Sequence, residues 1–224
     1  MKKIGFITGI KKEALILKQA ANYPKSKIIS AGLKPGSAYS SAKQLAKEGC
    51  STLISFGFAG ALDPRLAAGD LVLPTSVMDP VGNIFNTDEI LHTKISNHFS
   101  KKFTLAGGKV FGSKKIIWTA KEKKRIFVRH RATTVDMESL GVAQAAQESN
   151  CAFLIIRAIS DTASQDLPSE SLRSIELDHQ IRIANIFWKL STNLNEFPRM
   201  LQLAKNSRKA RAKLWDVARL GFSI

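Results

Sequence analysis

Residues 151–161 read CAFLIIRAISD. Six of the central seven residues are apolar, with no polar alternation, which is the pattern of a strand buried on both faces. The run ends on Ser160 and Asp161, so an acid stands at the carboxyl end of a buried strand. Working outward, KIGFITG (residues 3–9) and CSTLISFGFAG (residues 50–60) have the same character, and each closes in glycine. Helical patterns lie between them. KKEALILKQAAN (11–22) spaces Ala14, Leu17 and Ala21 along one face, and SAYSSAKQLAKEG (37–49) stops at Gly49. SKIISAG (26–32), GDLVLPTSVM (69–78) and FTLAGGKVFG (103–112) extend the series of strands, and DMES (136–139) opens another helix. From Ser169 onward the pattern predicts two long helical stretches separated near Pro198.

Strands alternating with helices predict a layered α/β domain with a largely parallel sheet. No linker or repeat interrupts residues 1–224, so a single domain is expected, with a basic helical C-terminal appendage from about residue 169. In such sheets ligands gather beyond the carboxyl ends of the strands. That rule singles out Gly9 to Glu13, Gly57 to Gly60, and Ser160 with Asp161.

The chain is 44% hydrophobic and 23% charged, ordinary values for a globular protein. No apolar run is long enough to span a bilayer, and MKKIGFITG lacks the features of a signal peptide. Cys50 and Cys151 read as reduced core thiols, and the four histidines show no metal-ligand spacing. A cytoplasmic protein without a metal is expected. The net charge of +16 is concentrated. Residues Lys101 to Arg131 hold 11 basic residues against Glu122, and Arg199 to Arg219 hold seven against Asp216. These two segments predict a surface that meets an anionic partner, or else a solvated face.

Three acids occupy the ends of strands and helices. Asp161 either carries a proton for catalysis, if desolvated, or caps a turn. Glu13 and Glu138 read on their own as acids in the first turn of a helix. Asp136 reads as a strand-end or capping residue.

Taken together, IGFITGIKKEA, SFGFAGALDPRLAAGDLVLPTSV and VDMESLGVAQAAQESNCAFLIIRAISD resemble the nucleoside phosphorylase and nucleosidase superfamily. They are most similar to the nucleosidases that cleave methylthioadenosine and adenosylhomocysteine. The tail FPRMLQLAKNSRKARAKL resembles the hopanoid-associated phosphorylase branch. The resemblance implies a three-layer α/β/α sandwich around a mixed, largely parallel sheet, followed by C-terminal helices. It implies cleavage of the N-glycosidic bond of a 5′-substituted adenosine, with adenosylhopane as the substrate in that branch.

It also implies roles by position. Asp161 protonates N7 of adenine, Glu13 orients an attacking water, Glu138 accepts hydrogen bonds from the ribose hydroxyls, and Met137 lies against the sugar. Gly57, Phe58, Ala59 and Gly60 form the turn beside the sugar, with Phe58 where many relatives carry a small hydroxyl residue. Ile117 and Trp118 face the base. No cofactor is implied. Phosphate remains a candidate co-substrate, to be held by Gly9 with Lys11 or Lys12. A homo-oligomer is expected, with no specific nucleic acid partner. A lipid-linked substrate would bring the protein to the inner face of the membrane through Lys101–Arg131 and Arg199–Arg219.

Overall fold

The computed structural model describes residues 3–20, 26–32, 34, 36–168 and 197–222. The strands are β1 (Ile4–Thr8), β2 (Ser26–Ser30), β3 (Thr52–Ala61), β4 (Leu71–Val72), β5 (Ser76–Met78), β6 (Ile84–Asn86), β7 (Leu105–Ala106), β8 (Lys109–Gly112), β9 (Thr134–Asp136) and β10 (Ala152–Asp161). The helices are α1 (Lys11–Ala20), α2 (Ser37–Lys47), α3 (Glu89–Phe99), α4 (Ala120–His130), α5 (Ser139–Glu148) and α6 (Phe197–Leu220). All ten strands join one sheet in the order β6-β5-β8-β9-β3-β10-β4-β7, with β1 pairing β3 and β2 pairing β1. Six of the pairings are parallel and three antiparallel, the mixed, largely parallel sheet that was expected.

Period-2 geometry turns each buried strand into two core faces. Phe6, Ile54, Phe56, Leu154 and Ile156 point to one side, where Ile16 and Leu17 of α1, Leu91 and Ile95 of α3, and Leu214 and Val217 of α6 cover them. Ile7, Leu53, Phe153 and Ile155 point to the other side, under Ala42 and Leu45 of α2 and Val142 and Ala145 of α5. Strands β3 and β10 form the spine. They run parallel in register from Thr52 beside Ala152, with a bulge where Asp161 falls opposite Gly60.

Two expected strands are each split. GDLVLPTSVM breaks at Pro74, which cannot donate to a ladder. Before the break β4 runs antiparallel to β10, and after it β5 runs parallel to β8. FTLAGGKVFG breaks at Gly107-Gly108, where Gly108 takes φ +108°. The helices α3 and α4 were not foreseen, being built from short, polar-rich segments with sparse apolar spacing. Their starts are nonetheless capped conventionally, by Asp88 accepting from Leu91 N and Thr119 accepting from Glu122 N.

The first of the two expected C-terminal helical stretches lies outside the described residues. The second is α6, and Pro198 sits in its first turn, where a missing N–H costs nothing. Its apolar stripe packs into the protein's own core. Ala210, Leu214 and Val217 are fully buried, and Leu214 alone contributes about 1.5–3 kcal/mol. The basic segment Lys101–Arg131 also needs a correction. Lys123, counted with that surface, is 0% exposed.

Candidate functional site

The carboxyl ends of β1, β3 and β10 meet at one edge of the sheet, and three acids stand there, Glu13 and Asp161 buried and Glu138 partly exposed. Glu13, in the first turn of α1, folds back over the end of β1. Its Oε2 accepts from Ile10 N (2.9 Å) and its Oε1 from Phe58 N (2.8 Å). The second bond ties α1 to β3. It requires Gly57, because a Cβ there would lie 2.4 Å from Glu13 Oε1. Burial pushes the Glu13 carboxyl up, while the two backbone N–H groups and nearby Arg157 pull it down.

Glu138 precedes α5 and lies against Gly9, where a Cβ would fall 2.6 Å from its Oε1. Burial, then the negative charge of Asp136, raises its carboxyl to about 8, opposed by Arg157 and reinforced by Glu13. The shift favours the protonated form of Glu138. Beside it opens a cavity of about 320 Å³, lined by Gly32, Ser37, Tyr39, Lys114, Met137 and Glu138.

Asp136 ends β9 and caps α5, accepting from Ser139 N at 3.0 Å and from Ser139 Oγ at 2.5 Å. It also forms a buried ion pair with Arg157 Nε at 2.7 Å. Arg157 further donates to Ser55 Oγ (2.6 Å) and Ser139 Oγ (3.0 Å), and its guanidinium lies 3.8 Å from Glu138. The structural reading of Asp136 is thus right but incomplete. Arg157 was missed, although a single cation inside an apolar strand is a signal in itself, since a buried charge must be paired.

Asp161 closes β10. Its Oδ2 packs against Gly60, where a Cβ would lie 2.9 Å away, and its Oδ1 accepts from Ser160 Oγ at 2.7 Å. It is buried, and it has a cationic partner that the sequence did not reveal. Lys123 of α4 donates to Oδ2 at 2.5 Å. Gly57 and Gly60 stand three residues apart on β3, so the two ends of the site are about 10 Å apart along the strand.

The remaining expected residues divide. Phe58 contributes its backbone N–H to Glu13, while its ring packs on the first core face. The carbonyl of Ala59 accepts from Ser160 Oγ at 3.3 Å. Ile117 joins the apolar cluster of Leu62, Phe111 and Val135, and Val135 reaches to within 3.3 Å of a Cβ built on Gly60. Ile117 also lines a cleft of about 510 Å³ that does not touch the three acids. The carbonyl of Trp118 accepts from Leu167 N. The candidate phosphate cations are not gathered: Lys11 and Lys12 are exposed, and Lys12 lines a separate groove with Arg208, Arg211 and Trp215. Gly9 abuts a carboxyl group instead.

A family model described as the phosphorylase superfamily matches residues 25–189. The chain belongs to that superfamily. Over 201 residues it is 27% identical to the 5′-methylthioadenosine/S-adenosylhomocysteine nucleosidase of Buchnera aphidicola, covering 72% of this chain and 79% of that one. The same superfamily fold is shared with the solved nucleosidase of that name from Neisseria meningitidis, in complex with methylthio-immucillin-A. The TM-score is 0.76 at 16% identity, across the whole of both chains. The nucleosidase of Colwellia psychrerythraea, in complex with adenine, matches with a TM-score of 0.72 at 16% identity, over 98% of this chain and 95% of the other. This superfamily member accordingly carries Glu13, Glu138 and Asp161 at the strand ends where an α/β sheet presents its ligand.

Proposed function

We propose that the protein cleaves the N-glycosidic bond of a 5′-substituted adenosine, releasing adenine, with water as the attacking nucleophile. The observation that carries this reading is the placement of three acids along one strand end, with Glu13 and Glu138 beside Gly57 and Gly9, and Asp161 beside Gly60. A nucleoside lying along that edge meets a different acid at each end. Breaking the C1′–N9 bond leaves electrons on the purine and positive charge on the ribose. At the Asp161 end a proton goes to N7, which makes adenine the better leaving group; positioned acid catalysis contributes about 10²–10⁴-fold.

At the other end Glu138, once ionised, accepts hydrogen bonds from the ribose hydroxyls and stabilises the cationic sugar. Met137, lining the same cavity, provides the apolar wall. Glu13, held by two backbone N–H groups, orients the water and takes its proton. The pair Asp136–Arg157 keeps α5, and hence Glu138, in register with β10. Water is favoured over phosphate because the side chains that abut Gly9 and Gly57 are the carboxyls of Glu138 and Glu13.

The 27% identical nucleosidase supports methylthioadenosine or adenosylhomocysteine as the substrate. A second reading, adenosylhopane presented at a membrane, is supported by the exposed cations Lys121, Lys124, Arg125 and Arg129 on α4 and Lys205, Arg208 and Arg211 on α6. Adenine release should be measured from each substrate with and without phosphate. Phosphate-independent release is expected. No release from any 5′-substituted adenosine would overturn the function, and strict phosphate dependence would overturn the choice of water.

A further inference from the structure

Lys123 stands where a lysine contributes least to a fold. It is 0% exposed, and burying an ammonium costs several kcal/mol unless its protons are all bound. It also lies four residues after the Thr119 cap of α4, at the helix end whose dipole disfavours a cation. An apolar side chain of similar volume would often be neutral or stabilising at such a place. Yet all three of its protons are used. They go to Asp161 Oδ2 at 2.5 Å, Thr162 O at 2.9 Å and Gln165 O at 3.0 Å.

The loop it holds is tied down independently. Ala120 N donates to Asp166 Oδ1, Leu167 N to Trp118 O, and Asn206 Nδ2 to Gln165 Oε1. The loop therefore does not depend on the lysine alone, and the side-chain partner that Lys123 holds is Asp161, at Oδ2, while Ser160 Oγ occupies Oδ1.

We propose that Lys123 is the positioning residue for Asp161 and also stores the proton that Asp161 delivers to the leaving purine. The proposal rests on the glycosidic cleavage put forward above. Before reaction the pair is an ammonium and a carboxylate, neutral as a unit. As the C1′–N9 bond breaks, its electrons pass to the purine. A proton leaves Lys123 Nζ for Asp161 and passes from the carboxyl to N7. The products of that step are a neutral amine, a carboxylate, a neutral purine and a cationic ribose, so charge is conserved. Attack of water on the ribose then gives one proton to Glu13; Glu13 returns it to solvent, and uptake of one solvent proton by the amine restores the ammonium.

Three variants and two leaving groups test this. The substrates are 5′-methylthioadenosine and the 4-nitrophenyl glycoside of the same 5-methylthioribose, whose phenolate departs without a proton. Lys123→Met should lower adenine release by about 10²–10⁴-fold, yet leave nitrophenol release within a few-fold. Lys123→Arg keeps the ion pair but cannot give up a proton, so it should resemble Lys123→Met. Asp161→Asn should show the same split. The ratio of the two rates within each variant does not depend on how much of the variant is folded.

Equal losses on both substrates, or full adenine release by Lys123→Met, would overturn any role through Asp161. Full rescue by Lys123→Arg would overturn proton storage. Wild-type protein that releases no adenine would overturn the function itself and this inference with it, a result distinct from active wild type with unaffected variants.

Discussion

At the residue scale the most consequential group is Glu138. Its carboxyl, raised from 4.5 to about 8 by burial and by Asp136, keeps its proton in the folded chain while the unfolded chain loses it. Between those values the folded state binds more protons, so this group's contribution to stability falls as pH rises from about 4.5 to about 8, by on the order of 1 kcal/mol per pH unit. Glu138→Gln removes the titration. The variant should match wild type in denaturant unfolding near pH 4.5 and exceed it increasingly up to pH 8, while losing turnover. A constant difference across that range would contradict the assignment. On the proposed mechanism the ionised form grips the ribose, so wild-type kcat/KM should rise with pH toward about 8.

The same scale shows the limits of sequence reading. Glu13, Glu138 and Asp161 are legible because the resemblance singles out their positions, and Asp136 because acids cap helices. Arg157 announces itself only as a charge inside an apolar run. Lys123 is hidden among ten other basic residues, and nothing local separates the buried one from the solvated ones.

At the element scale the site depends on backbones that approach carboxyl groups without an intervening Cβ. Gly57→Ala would place a methyl group 2.4 Å from Glu13 Oε1, so the carboxylate must move and its bond to Phe58 N must lengthen. A displacement of about 1 Å at a catalytic group can cost on the order of 10²-fold in rate. The variant should lose about that much kcat, with thermal stability reduced only modestly; a normal kcat would show that Glu13 has no positional role. Long, apolar β1, β3 and β10 were readable because burial on both faces leaves a continuous signal. The pairs β4/β5 and β7/β8 were not separable, since Pro74 and Gly108 break the backbone inside runs whose composition stays strand-like, and the short β6 was not read as a strand.

At the scale of the whole molecule, the proposed site lies at the strand ends and exposed cations line α4 and α6. The apolar side of α6 is occupied by Phe6, Phe56 and Leu154 of the core, so this stripe is not available to a bilayer. Any membrane contact rests on charge, with the exposed Phe197 and Leu201 at the start of α6 as the apolar contribution. Each basic residue near an anionic surface adds roughly 1 kcal/mol, and salt screens it. The protein should therefore float with vesicles rich in anionic lipid at low ionic strength and be released by high salt. Failure to float at low salt would leave the positive segments as solvated faces.

The burial of Lys123 has a chemical consequence for such work. An acylating reagent reaches the exposed lysines of α4 and α6, but a side chain with no accessible surface and every proton engaged is shielded from it. Exhaustive acetylation of the folded protein should erase much of its positive charge and its affinity for vesicles. The one amine tied to Asp161 would remain unmodified, so adenine release from a soluble substrate should survive the treatment.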